Sequence, residues 1–471
     1  MELELRLLIN AFQWFFLIYF VLLHSSYILL NLLSFLNIRH YIPENDVEIM
    51  NEVYSDFNPP ITIIIPAFNE EKTIAASVLS ILQLNYSAFE VIVVNDGSTD
   101  KMMEVLDKTF SLSPFPEVYA VTIETEKVVT IYRSREYPNL KVLDKLNGGK
   151  ADSLNAGINA SRYPIFCALD ADSVLQKDSL VRAIHPFLED PDVIASGGTI
   201  RIANGCRVEE GFMMDVALPG NFLALIQITE YLRAFLFGRL GWSPLNALLI
   251  ISGAFGLFKK ESVISAGGYM RNTIGEDMEL VVRLHKKYRS EGKPYRITFV
   301  PDPICWTEAP EDLGTLRRQR VRWQRGLAES LFNNKGLLLS KNGGLVGWLA
   351  YPFFLIFEWF GPVVEIAGYM IMGLAFALGI LPLQIFLTFL MISIGFGFFI
   401  SASALLLEVI TFRIYKKPSS FFILILAALA ENFGYRQLNA LWRMEGLLKW
   451  AFSREKGWGH IERKGDWSNV T

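Results

Sequence analysis

Apolar positions run almost unbroken from Trp14 to Leu36, interrupted only by His24, Ser25, Ser26, Asn31 and Ser34. At 1.5 Å per residue, a helix over that stretch is about 35 Å long, enough to cross a bilayer core of about 30 Å. It is too long for a signal-peptide core, and no small-residue cleavage site follows it. The pattern predicts a retained transmembrane anchor over residues 1–40, with Arg39 and His40 favouring a cytosolic exit. From Pro59 to Lys341 the pattern turns globular. Short apolar runs (Ile61–Ile65, Val91–Val94, Ile165–Leu169) alternate with helical stretches such as Glu71–Leu84 and Ser179–Leu188. Strand, helix, strand in that order predicts an α/β domain with a mostly parallel central sheet over residues 41–341. Ser111–Asn139 breaks the rhythm and carries no recognisable chemistry.

Hydrophobicity returns after Gly343. Leu345–Leu381 is too long for one ordinary crossing and is divided at Gly361-Pro362, which predicts an interfacial helix followed by one crossing. Gln384–Phe412 should cross back, leaving Arg413, Lys416 and Lys417 on the side of the globular domain. Phe421–Leu441 is interrupted by Glu431, Asn432 and Arg436, so a re-entrant or interfacial helix fits as well as a crossing. Residues 342–442 are thus expected to hold interfacial and transmembrane helices, and residues 443–471 a basic tail.

Composition agrees with a membrane protein. Of 471 residues 52% are hydrophobic, 35 are Phe and 10 are Trp, and the mean hydropathy is +0.30. That excludes a disordered or wholly soluble chain. A net charge of −4 without a basic stripe argues against nucleic acid as a partner. Three scattered cysteines, Cys167, Cys206 and Cys305, form neither a disulfide framework nor a zinc site and suit a reducing cytosolic face.

Six constellations carry candidate chemistry. Phe68 and Glu70 follow the first strand, where an open α/β sheet binds ligands, although an Asn/Glu helix cap reads the same way. Asp96 ends the second strand before Gly97; its carboxylate can accept hydrogen bonds from a nucleobase or ribose, or mark a turn. Asn147-Gly148-Gly149-Lys150 opens a helix and suits a phosphate, as would any capped helix with a surface lysine. Asp170-Ala171-Asp172 offers hard oxygen ligands for Mg²⁺ or Mn²⁺ bridged to a diphosphate. Glu276-Asp277 either complements a helix N-terminus or supplies a general base. Gln319, Arg322 and Trp323 share one helical face, fit for a membrane interface or for stacking on a sugar while binding phosphate.

In this order the motifs resemble a membrane-embedded family-2 glycosyltransferase of the processive type that makes cellulose, hyaluronan or poly-N-acetylglucosamine. The resemblance covers Pro60–Gly326. It implies a GT-A-like nucleotide-sugar-binding domain flanked by transmembrane helices. It also implies that Asp96 and Asp170 bind the nucleotide, Asp172 ligates a divalent metal, Asp277 is the catalytic base, and the Gln319–Trp323 helix frames acceptor and diphosphate. Gly275 stands where cellulose synthases usually carry Thr, and Ile251-Ser252-Gly253-Ala254-Phe255 departs from their acceptor loop; about 30 residues after Leu441 leave no room for their appended regulatory domain. The layout looks more like the poly-N-acetylglucosamine and hyaluronan types.

The expected activity is therefore inverting transfer from a UDP-linked donor to a growing polysaccharide, coupled to export. The enzyme would sit in the plasma or inner membrane with its catalytic domain cytosolic. The alternative is a one-step transferase making a glycolipid or polyprenyl-phosphate sugar. Membrane lipid is an expected partner, and a small accessory membrane subunit is left open. A transporter with a nucleotide-sugar sensor would use the intramembrane carboxylates Glu358, Glu365, Glu408 and Glu431, but would leave Asp277 and the Gln319–Trp323 set without a task.

Overall fold

The computed structural model describes residues 2–38, 58–209 and 212–452. Arg39, His40, Arg454 and Lys456, on which part of the charge reading rests, lie outside the described residues. In chain order the strands are β1 (Ile61–Ala67), β2 (Phe89–Asn95), β3 (Leu112–Pro114), β4 (Val128–Ser134), β5 (Leu140–Lys145) and β6 (Ile165–Leu169). They continue with β7 (Val174–Leu175), β8 (Val193–Ile202), β9 (Arg207–Glu209), β10 (Phe212–Asp215), β11 (Phe255–Lys259) and β12 (Arg296–Thr307). Ten of them form one sheet in the order β3-β4-β5-β2-β1-β6-β11-β8-β12-β7, while β9 and β10 pair separately.

The centre of the sheet is parallel: β1 lies between β2 and β6, and β5 flanks β2. Ile61, Ile63, Ile64 and Ile65 are wholly buried, as the unbroken apolar run of a strand covered on both faces requires. Strand β11 enters antiparallel between β6 and β8, a departure from the parallel pattern. The segment 111–139 breaks the α/β rhythm because it supplies β3 and β4, an antiparallel edge beside β5 that needs no crossover helix. The helix expected from Glu71 begins at Ile74, after Thr73. Parallel pairing sets the C-terminal ends of β1, β2 and β6 side by side, so the loops at Phe68, Asp96 and Asp170 share one edge of the sheet.

Among the described residues, two helices are long and apolar enough to cross a membrane: Ala11–Asn37 within Glu2–Asn37, and Leu383–Thr411. Val346–Trp359 and Gly361–Ala377 meet at 42°, with the break at Phe360 just before Gly361-Pro362, and Pro418–Ala430 meets Tyr435–Phe452 at 57°. If each bent pair is one span, the number rises to four.

Ion pairs stitch the globular part to the C-terminal helices. Arg201 on β8 meets Glu408 at 2.7 Å, and Arg233 meets Glu431 at 2.7 Å. The Tyr435 hydroxyl donates to Glu230 at 2.7 Å. The basic tail expected from residue 443 instead starts inside the Tyr435–Phe452 helix. Arg443 is held there by Glu358 at 3.0 Å and Gln324 at 2.9 Å. Each of the four carboxylates Glu358, Glu365, Glu408 and Glu431 has a partner, Glu365 through the Tyr369 hydroxyl at 2.7 Å, as buried or half-buried charge demands.

Candidate active site

The Asn147-Gly148-Gly149 loop is moulded by Asp96. That carboxylate accepts from Lys145 Nζ (2.6 Å), Gly148 N (2.9 Å), Gly149 N (2.7 Å) and Asn147 Nδ2 (3.1 Å). Asp96 is 4% exposed, and both of its oxygens accept hydrogen bonds from the loop. Gly97 and Gly149 take φ of +67° and +89°, and a methyl on Gly97 would fall 2.9 Å from Asn147 N. The loop delivers Lys150 to the first position of the Lys150–Ala160 helix. Lys145 itself is wholly buried between Asp96 and Asp152 (2.7 Å), and Asp152 also pairs with Arg271 at 3.2 Å.

Lys150 reaches across the sheet edge to Asp170 (2.5 Å), Glu276 (3.6 Å) and the Gly253 carbonyl (3.3 Å). Burial works against its charge, but Asp170, Glu276 and Asp277 hold its pKa above the ordinary lysine value. Glu276 and Asp277 open the Glu276–Glu291 helix. Asp277 accepts from Gly253 N (3.0 Å) and Met278 N (2.8 Å), fixing the carboxylate beside Lys150. Glu276 is buried, which pushes its pKa up to about 7; Lys150 draws it down and Asp277 adds to the rise.

The Leu313–Asn333 helix forms the facing wall. It lies against the start of the Glu276–Glu291 helix at two glycines, with no room for a side chain between them. A methyl on Gly275 would stand 2.7 Å from Gly326 Cα, and one on Gly326 2.9 Å from Gly275 Cα. Gly275, noted above only as a departure from a relative's pattern, is thus dictated by packing. Trp323 meets Phe235 edge-on at 5.6 Å, and the Arg320 guanidinium lies 4.4 Å over the Trp323 ring. Arg320 is anchored in turn by Glu230 at 2.7 Å.

These groups enclose a cavity of about 740 Å³, running from Lys150 and Asp170 to Phe354, Glu358, Asn439 and Arg443 of the C-terminal helices. Of the candidate residues, Lys150, Asp170, Glu276, Asp277, Gln319, Arg322 and Trp323 line it. Phe68, Glu70, Asp96 and Asp172 do not. Phe68 is 44% exposed beyond β1, and Glu70 accepts from the Thr73 hydroxyl at 2.8 Å. Asp172 is buried, with the Thr307 hydroxyl 3.5 Å from Oδ2. No group of three or more His, Cys, Asp or Glu that could hold a metal occurs among the described residues. The donor chemistry nevertheless fits Mg²⁺ or Mn²⁺, which needs only one or two carboxylates when a diphosphate supplies further oxygens.

Lys145, Glu230 and Arg239 escaped the sequence reading. Arg320 lay inside the recognised motif, but on the face that bears no expected chemistry. Asn155 also went unnoticed as a clamp: it binds Tyr269 N (2.7 Å) and the Tyr269 carbonyl (2.8 Å), holding the loop that leads to Glu276.

Comparison with known proteins gives the arrangement its context. The model for glycosyl transferase family 2 matches residues 62–211, and that for glycosyl transferase family group 2 matches residues 165–427. Poly-beta-1,6-N-acetyl-D-glucosamine synthase of Staphylococcus aureus (strain COL) is 32% identical over 277 residues, 58% of this chain and 56% of the relative. The synthase of the same name from Staphylococcus epidermidis is 30% identical over 275 residues, with the same shares. The match thus spans about half the length of these curated relatives. Among solved structures, a mannosyltransferase from Pyrobaculum calidifontis in complex with GDP-Man and Mn²⁺ has a TM-score of 0.51 at 18% identity. That likeness covers 92% of this chain and 98% of the other, and it shows a shared GT-A-like fold. One family model alone spans more than half of the chain, and the chain therefore belongs to glycosyl transferase family group 2 and is a glycosyltransferase.

Proposed function

We propose that the enzyme transfers a sugar, with inversion, from a UDP-linked donor to the end of a growing polysaccharide, which leaves through the adjoining membrane helices. The observation that carries this reading is a single cavity holding Asp277, Lys150 and Trp323 and continuing to the C-terminal helices. The name of the staphylococcal relatives supports a polymer of N-acetylhexosamine.

In this reading Asp277, anchored by Gly253 N–H, takes the proton of the acceptor hydroxyl. The freed oxygen bonds to the anomeric carbon while the bond to the nucleoside diphosphate breaks on the opposite face. Lys150 neutralises the departing phosphates, and Asp170 contacts the nucleotide. Asp96 acts one step back by shaping the loop that places Lys150. Trp323, steadied by Arg320 and Phe235, offers an apolar face to the acceptor ring. Asp172, with Asp170 beside it, would hold Mg²⁺ or Mn²⁺, whose chemistry is to neutralise charge on the diphosphate. The catalytic domain would face the cytosol, where nucleotide sugars are made.

The test is a donor screen with purified membranes, measuring nucleoside diphosphate release for each UDP- and GDP-sugar and product length on a gel. A ladder of long products from a UDP-sugar is expected. A single lipid-linked addition would replace this reading with the one-step alternative, and no turnover of any donor would remove it.

A further inference from the structure

Arg239 follows the π-helical stretch Leu232–Gly238 and is 8% exposed, yet it lines the cavity. It has no ion pair among the described residues, and its Nη1 is buried without a hydrogen-bond partner. Three of the other five cations on this wall have carboxylate partners: Lys150 has Asp170, Arg320 has Glu230 and Arg443 has Glu358. What holds Arg239 is the Phe235 ring, 4.6 Å from its Cζ, and that ring in turn meets Trp323. Burial draws its pKa down to about 10, with Asp277 acting most strongly in the other direction, so it remains cationic at neutral pH. An unmatched buried guanidinium is costly. Here it stands between the base and the aromatic wall.

A guanidinium donates only, so its missing partner is an oxygen acceptor. The cavity wall carries eight carboxylates against six cations, and Asp277 faces the same space. An anion added to the donor diphosphate would meet a repulsive field there, whereas a neutral amide carbonyl would not. The donor phosphates belong to the Lys150 end, which leaves the sugar that presents its hydroxyl to Asp277. We propose that Arg239 is a specificity-determining residue of the acceptor subsite, donating to the acetamido carbonyl of the terminal sugar. This rests on the polysaccharide reading above.

The test uses the full-length enzyme in detergent with the donor that the wild type turns over. Three acceptors are compared: a β-1,6-linked N-acetylglucosamine oligosaccharide, its de-N-acetylated form, and a uronate-bearing oligosaccharide. Transfer to each is measured alongside donor hydrolysis for the wild type, Arg239→Gln and Arg239→Lys. Loss of one hydrogen bond from a charged donor should raise the KM of Arg239→Gln for the acetylated acceptor about 10- to 100-fold. KM for the de-N-acetylated acceptor and donor hydrolysis should stay within about twofold, with Arg239→Lys intermediate. An equal loss on acetylated and de-N-acetylated acceptors, a loss confined to the uronate acceptor, or a fall in donor hydrolysis would overturn the assignment of Arg239. A wild type that hydrolyses donor but extends no oligosaccharide would overturn the polysaccharide reading, and the inference with it.

Discussion

Replacing Gly275 by alanine adds one methyl group where two backbones touch. The added carbon would sit 2.7 Å from Gly326 Cα and 2.9 Å from its carbonyl carbon and oxygen, where ordinary contact begins at 3.4 Å. The helices must part by about 0.7 Å, because the obstacle is main chain and cannot rotate away. Overpacking of this kind costs about 1–3 kcal/mol of stability. Displacement of Asp277, the proposed base, from the Trp323 wall costs more in rate, since a misplacement of about 1 Å can cost about 10²-fold. The expected result for Gly275→Ala is a 10- to 100-fold fall in nucleoside diphosphate release at saturating donor, with a lowered melting temperature in detergent. Gly326→Ala should behave alike, having 2.9 Å to Gly275 Cα. Gly373→Ala, whose methyl would meet nothing within 4 Å, is the control and should leave both measurements unchanged. Turnover of Gly275→Ala within twofold of wild type, at an unchanged melting temperature, would refute the claim that this crossing sets the catalytic geometry.

Asp277→Asn should lower the transfer rate about 10²- to 10⁴-fold with donor affinity unmoved; it also turns an amide N–H toward either Gly253 N or Met278 N, so a modest loss of stability should accompany it. Near-normal turnover would remove Asp277 from the mechanism. Glu276 titrates near pH 7, being neutral below and anionic above it. The pH profile of kcat/KM should therefore carry an inflection near 7 that Glu276→Gln abolishes; an unaltered profile would show that this charge change is not felt at the site. Exhaustive dialysis against EDTA should remove transfer activity, with Mg²⁺ or Mn²⁺ restoring it, and full activity after dialysis would dismiss the metal at Asp172.

What could be read from the chain was whatever is local in sequence. Ile61–Ile65 announced a buried strand, and Gly361-Pro362 announced a break, because each signal lies within a few residues of its effect. The motif at Gln319–Trp323 was legible for the same reason. What stayed hidden depends on partners far away. Lys145 looks like a surface lysine until β2 and the Lys150–Ala160 helix enclose it between Asp96 and Asp152. Asp96 is similar: nothing nearby shows that its oxygens are used on a loop 51 to 53 residues later. Arg443 read as tail charge because its partner Glu358 lies 85 residues earlier.

The pairs that join the globular part to the C-terminal helices have a temporal consequence. Arg320 and Glu230 are completed by the Tyr435 hydroxyl, which lies 115 residues beyond Arg320. At ~5–20 residues per second of synthesis, that partner arrives about 6–23 s after the arginine. Until then the wall that steadies Trp323 lacks part of its support, and the end of the cavity formed by Asn439 and Arg443 does not exist. A nascent chain therefore carries Asp277 and Lys150 well before the cavity around them is closed. The cavity is complete only once the Tyr435–Phe452 helix has been laid down, so the site is assembled late in synthesis.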